Sequence, residues 1–359
     1  MNKVNILSDN IIIKIFLNYF FDSNCITSWD TNNKERLKLQ LVCKNWCNLL
    51  RNFCKSLSLS KRNIIPLYYK IENFQNINHL EILDVESPEI VTKIICNIIV
   101  NPNMKQLSSI DLSLSNLSNI HIRYILNALK FNQTINDINL EGNPLGDQSI
   151  YDLYCLLINN NNIKYLDLQN CDSKNGLVVI GNLLANKNSI LGLNWSNNDS
   201  NNCIDFLCEG LKNNNTLTSL SLSGCNIDEL GAISLGEALK TNKSLRYLNL
   251  SNNQFGDIGS LHLALILKNH PTLQSLDLSC NSVSIENVEK IKIIFANTGI
   301  HLKIYQNNFN NNFLIMSNNN NNSNHTNGED EYFFDENDNM EVNSGKMYDY
   351  LSSHQMIIS

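Results

Sequence analysis

A pattern of the form Leu-x-x-Leu-x-Leu-x-x-Asn, with Ile, Cys or Ser standing in at some positions, returns along this chain from Leu80 to Leu273. Its first positions are Leu80, Leu107, Ile135, Ile163, Ile190, Leu217, Leu245 and Leu273, at spacings of 27, 28, 28, 27, 27, 28 and 28 residues. A unit this short cannot bury its own apolar face, so it must stack on its neighbours. The stacking requirement points to a binding surface rather than to a single active site.

The block from Leu245 shows the chemistry of one unit. Leu248 and Leu250 alternate with Tyr247, Asn249 and Ser251, which is strand spacing with the leucines inward. Asn253 sits where the chain leaves the strand, and its amide is expected to bond open backbone groups of its own turn and of the following repeat. Asn143, Asn198 and Asn281 hold the same place, Cys171 and Cys225 replace it, and Ser115 and Pro88 fill it in the first two units, where looser turns are expected. A helical half follows, with Asp257 as the expected N-cap, apolar positions Leu261, Leu263, Ala264, Leu265 and Leu267, and a stop at Lys268-Asn269-His270-Pro271. The preceding unit repeats this plan from Asp228. Strand on one side and helix on the other make an α/β solenoid whose strands line its concave face. Cys54, Leu57 and Leu59 fit an earlier strand, and Leu302, Ile304 and Asn307 a final one.

This array, over about residues 80–305, resembles the leucine-rich repeat family in the long form of the ribonuclease-inhibitor-like proteins. The resemblance implies a right-handed solenoid, a horseshoe, that binds proteins along its strands. It names no ligand, because the fold is widely reused.

Three segments are expected: 1–52, 53–305 and 306–359. In the first, apolar positions 11, 12, 15, 16, 19 and 20 recur at helical spacing, and Leu37 to Leu50 hold a second helical run. The run Leu7-Ser-Asp-Asn-Ile11-Ile12-Ile13-Lys-Ile15-Phe16 and the run Leu41-Val42-Cys43-Lys44-Asn45-Trp46-Cys47-Asn48-Leu49-Leu50 resemble the opening and the most diagnostic helix of an F-box. Ser8 stands where that family usually has proline, and the polar insert 21–34 is longer than usual. The resemblance implies a small all-helical domain that docks on an Skp1-like adaptor, and through it on the cullin of an SCF-type ubiquitin ligase. Leu7, Ile11, Ile12, Ile15, Phe16, Leu41, Val42, Trp46 and Leu50 would make that contact. The plainer reading is a helical cap over the first repeat, which any open solenoid needs. The last segment, rich in asparagine and then acidic, is expected to stay disordered.

The expected substrate face has a middle column of Asp84, Asp111, Asn139, Asp167, Asn194, Ser221, Asn249 and Asp277. Beside it run Ile82, Ser109, Asp137, Tyr165, Gly192, Ser219, Tyr247 and Ser275, with Glu86 and Glu141 on the far side. Acidic groups gather in the early half, and Tyr165 and Tyr247 offer aromatic anchors. A protein substrate with a basic, extended or helical surface is therefore expected near Asp137, Tyr165 and Asp167.

A formal charge of −7 disfavours nucleic acid or an anionic membrane as partner. No apolar run is long enough to span a bilayer, and the first residues lack the marks of a signal peptide. The 11 scattered cysteines read as reduced thiols, so cytoplasm or nucleus is the expected location. Cys43 and Cys47 lack further ligands at metal spacing, and Trp195 sits at an inward anchor where its indole N–H needs a partner. With no phosphate-cradling loop, metal motif or nucleophile elbow, neither a cofactor nor catalysis is expected. The expected role is a substrate receptor of a ubiquitin ligase. The alternatives are a non-enzymatic scaffold or inhibitor and a small-GTPase regulator.

Overall fold

The computed structural model describes residues 56–60, 76–83, 87–186, 189–200 and 203–307. The expected helical domain of residues 1–52 and all but the first two residues of the expected tail lie outside them, as does the Cys43/Cys47 pair.

Among the described residues, ten strands form one parallel sheet in chain order: β1 (Ser56–Ser60), β2 (His79–Leu83), β3 (Ser109–Asp111), β4 (Asp137–Asn139), β5 (Tyr165–Asp167), β6 (Gly192–Asn194), β7 (Ser219–Ser221), β8 (Tyr247–Asn249), β9 (Ser275–Asp277) and β10 (His301–Lys303). Among the described residues, eight helices alternate with them from β2 onward: α1 (Pro88–Ile99), α2 (Asn119–Leu129), α3 (Gly146–Leu157), α4 (Gly176–Asn186), α5 (Ile204–Asn213), α6 (Glu229–Leu239), α7 (Gly256–Leu267) and α8 (Ile285–Phe295). Parallel neighbours joined through a helix are what a strand-then-helix repeat must give. The inward leucines and isoleucines of the strands and helices form one continuous core, from Leu57 to Ile304.

The first unit is in a different phase from the one its sequence suggests. Leu80 pairs with Ile110 and Glu81 with Asp111, so Ile77, Leu80 and Ile82 are the three inward anchors. The amides of Ser108 and Ser109 both bond Asn78 O, as those of Asn136 and Asp137 bond Ser108 O one repeat later. Ile82 is therefore core, not face, and Glu81 takes the column place expected for Asp84, which lies outside the described residues with Glu86. Ile77-x-x-Leu80-x-Ile82 and Leu80-x-x-Leu83-x-Val85 have the same apolar spacing, and pairing with Leu57 and Leu59 of β1 selects the first. Pro88 is consequently not a turn residue. It opens α1 behind the N-cap Ser87, where its missing N–H costs nothing.

Two polar ladders hold the repeats in register. In the first, Asn253 Nδ2 donates to Leu222 O, Leu250 O and Ser251 O, while its Oδ1 accepts from the amides of Cys225 and Ile227. Asn143 and Asn198 bind in the same way, so each amide ties its own turn to the preceding repeat, not to the following one. Between these asparagines stand smaller donors. Cys171 Sγ reaches Leu140 O and Gln169 O, and Cys225 Sγ reaches Trp195 O and Ser223 O, at 3.4 and 3.6 Å in both cases. The turn at Ser115 is not loose as expected, because Asn143 bonds both Leu112 O and Leu117 N across it. Asn281 occupies a place that the pattern assigns to a small donor. Its Nδ2 is satisfied by three carbonyls, but its buried Oδ1 has no partner. Asn307 closes the ladder on Asn281 N and Leu278 O.

The second ladder lies at the helix-to-strand return. Asn132, Asn160, Asn214 and Asn242 each accept from two amides two and three residues ahead. Each donates from Nδ2 to a carbonyl of the preceding repeat: Ile99 O, Leu129 O, Leu184 O and Leu211 O respectively. His270 holds this place in the next unit.

Helix starts use two devices. Asp228 caps α6 by accepting from Gly231 N at 2.8 Å, as expected of an N-cap. Asp257 is not a cap of its own helix. It lies inside α7 and accepts from Ser284 N, ahead of α8, and Asp147 likewise receives the amides of Lys174 and Asn175 ahead of α4. Trp195 is fully buried but its Nε1 has no hydrogen-bond partner, contrary to expectation. Gly176 makes room for the ring: a Cβ there would lie 2.3 Å from Trp195 Cη2.

Candidate protein-binding face

Alternate strand residues point into the core and the others form rows across the sheet, half-buried on β3, β8 and β9 but fully buried on β6 and β7. Asp111, Asn139, Asp167, Asn194, Ser221, Asn249 and Asp277 are successive register partners, as the sequence columns require. Ser109, Asp137, Tyr165, Gly192, Ser219, Tyr247 and Ser275 form the adjoining row.

The middle row has a structural task of its own. Asp111, Asn139, Asp167, Asn194, Asn249 and Asp277 each accept, through Oδ1, the amide two residues ahead, which turns the chain off the strand. Asp111 and Asp277 stay half-buried, whereas Asn139 and Asp167 are buried. The second carboxylate oxygen of Asp167 accepts from Asn194 Nδ2 at 2.9 Å.

Around β3 to β5 the acidic groups converge. Asp137 Oδ2 accepts from Ser109 Oγ at 3.1 Å, and that hydroxyl also lies 3.0 Å from His79 Nδ1. Glu141 Oε1 accepts from Gln169 Nε2 at 2.7 Å, and Gln169 Oε1 in turn accepts from Asn194 Nδ2. Sequence reading picked out the carboxylates and missed Ser109, His79, Gln169 and Asn194 as their partners. The only available signal was their place beside the acids in the column register.

Burial raises the pKa of Asp137 to about 6, against the Ser109 hydrogen bond, with Asp111 and Asp167 adding repulsion. Burial likewise raises Asp167 to about 6 and Glu141 to about 7, where Asp167 and Asp111 push in the same direction. Among the described residues, no lysine or arginine forms an ion pair with Asp111, Asp137, Glu141 or Asp167. Tyr165 stands in register between Asp137 and Gly192, half-buried at the edge of this cluster. Tyr247 and Asp277 do not join it. They sit on β8 and β9, three and four strand spacings of ~4.8 Å beyond β5.

None of the adaptor-binding residues expected at positions 7–50 falls among the described residues. No group of three or more His, Cys, Asp or Glu able to hold a metal occurs among the described residues, and none of the described helices is long and apolar enough to cross a membrane.

The family comparison agrees with the repeat geometry. A leucine-rich repeat family model matches residues 213–236, 241–263 and 269–287, so the chain is a leucine-rich-repeat-containing protein. No curated protein matches it. Among solved structures, leiomodin-1 actin-binding site 2 is similar at 18% identity and a TM-score of 0.30, over 50% of this chain and 86% of that one. The tropomodulin C-terminal domain of Caenorhabditis elegans is similar at 10% identity and a TM-score of 0.24, over 58% and 92%.

Proposed function

We propose that this chain is a non-enzymatic protein-binding module that takes a basic segment of a partner protein on the open face of β3 to β5. The observation that supports it is the cluster of Asp111, Asp137, Glu141 and Asp167, carboxylates held in a partly dry site beside Tyr165 with no cation paired to them among the described residues. Such an arrangement costs stability unless a partner supplies the positive charge, and perturbed groups of this kind gather at functional sites. An arginine or lysine of the partner would meet carboxylates while its stem or backbone lay against the Tyr165 ring. Affinity capture from native extract with the parent and with the double variant Asp137→Lys/Asp167→Lys tests this. Partners kept by the parent and lost by the variant support it. Identical partner sets sink it.

A second reading rests on the Leu41–Leu50 run, with Val42, Cys43, Lys44 and Trp46 in F-box-like order. In it the repeat face presents a protein substrate while residues 7–50 bind an Skp1-like adaptor and its cullin complex. Capture with Trp46→Ala/Leu50→Ala beside the parent separates the readings. Loss of an adaptor and cullin in the variant alone favours the ubiquitin-ligase role, and their absence from both captures leaves the repeat module without it.

A further inference from the structure

Among the described residues, the second polar ladder has one member that can change charge. At 132, 160, 214 and 242 the ladder residue is asparagine, whose carbonyl accepts two backbone amides and whose amide group donates to the preceding repeat. At 270 it is histidine. His270 Nδ1 accepts from Thr272 N at 3.4 Å and Leu273 N at 3.1 Å, so Nδ1 carries the lone pair and the ring proton is on Nε2. Nε2 is buried and makes none of the well-aligned hydrogen bonds that the asparagine amides make to the preceding repeat, although the Asn242 backbone of that repeat lies near enough to favour a charged ring. The imidazole thus reproduces the accepting half of the ladder only while it is neutral.

We propose that His270 is a pH-sensitive joint, whose protonation at Nδ1 releases the entry to β9 and loosens the last two strands from the rest of the sheet. A proton on Nδ1 replaces the lone pair that receives the two amides, leaving Thr272 N and Leu273 N facing an N–H. Leu273 is the first core anchor of the β9 unit, buried beneath the strand that carries Asp277. Loss of its amide bond therefore acts directly on the placement of that unit.

No charged side chain compensates a positive ring, whose pKa is governed by burial and the Asn242 backbone. Among the described residues the adjoining elements carry both signs: Lys268 at the end of α7, Lys240 and Lys243 at the preceding return and Arg246 ahead of β8, against Asp257 on α7, Glu229 and Glu237 on α6 and Asp277 on β9. Glu237 on α6 is engaged by Lys240 and by His262 Nε2 at 3.4 Å. Burial lowers the His270 pKa from its ordinary value, and only the Asn242 backbone opposes this. The folded chain therefore keeps the ring neutral to lower pH than the unfolded chain does. The stability it contributes is complete above about pH 6.5 and is lost as the pH falls below that value.

The test is amide hydrogen exchange of the full chain between pH 7.5 and 5, corrected for the intrinsic rate, in the parent and in His270→Asn. Protection of Leu273 in the parent is expected to fall by up to about tenfold per pH unit below about 6.5. In His270→Asn, which restores the residue of the other ladder positions, that fall disappears. A parallel fall in both proteins overturns the proposal. The His270 ring resonance of the unmodified chain gives a second measurement that needs no variant. Titration below 6.5 is expected, and a midpoint at or above 6.5 overturns the proposal equally.

Discussion

Replacing Asn253 with alanine separates the two kinds of turn residue most sharply. Asn253 is 4% exposed and joins Leu222 O, Leu250 O and Ser251 O to the amides of Cys225 and Ile227. Its two amide hydrogens serve three carbonyls, so the side chain supplies about four net hydrogen bonds. At ~1 kcal/mol each, and with buried donors and acceptors left open, the loss is about 3–5 kcal/mol. Cys225→Ala removes one weak S–H donor, with contacts of 3.4 and 3.6 Å, plus one buried sulfur. About 1 kcal/mol is expected there. Urea unfolding followed by far-ultraviolet circular dichroism gives the global difference. Amide exchange at Cys225 and Ile227 shows whether the loss is local to the joint, which matters because repeat arrays need not unfold in one step. Equal losses in the two variants would refute the reasoning that asparagine, and not the intervening cysteine, ties one repeat to the one before it.

Other perturbations have defined outcomes. Glu141→Gln and Asp137→Asn should raise the melting temperature at pH 8 and leave it unchanged near pH 4. The folded pKa values of about 7 and about 6 lie above the unfolded ones, so the parent is stabilised as the pH falls through that range and carries the cost of the charges above it. Gly181→Ala should cost about 3 kcal/mol in urea unfolding, because a Cβ there would lie 2.1 Å from Phe206 O and α4 would have to part from α5. Asp147→Ala should speed amide exchange at Lys174 and Asn175, whose N–H groups it accepts. Burial would raise the Asp147 pKa, but the hydrogen bonds from Asn175, Ser173 and Lys174 outweigh it and hold the carboxyl low, so its contribution is present at neutral pH and lost in acid.

The strand and helix order, the inward leucines and the face columns were legible in the sequence because each is a period, and a period is what stacked repeats impose. The phase of the first unit was not, since Ile77, Leu80 and Ile82 and the residues three places on spell the same apolar spacing, and only pairing with β1 distinguishes them. Asp257 was read as a cap because local spacing cannot show a bond made to Ser284 in the next repeat. The second asparagine ladder escaped notice for a compositional reason: in a chain so rich in asparagine, its recurrence at 132, 160, 214 and 242 does not stand out. At the candidate site the carboxylates were visible as types in a column. Their raised pKa values were not, because burial depends on how deeply each strand position sits in the finished sheet. The Trp195 indole shows the converse limit: its inward place followed from the pattern, but its missing partner did not.

The central claim is that partners bind the strand face at β3 to β5. A photo-crosslinking amino acid placed at Tyr165, and in a separate protein at Tyr124, which is 62% exposed on α2, tests it in native extract. The account predicts that the Tyr165 probe captures a partner through a peptide rich in lysine or arginine, and that the Tyr124 probe does not. Capture of the same partner from Tyr124 with none from Tyr165 would place the binding surface on the helices and contradict the account.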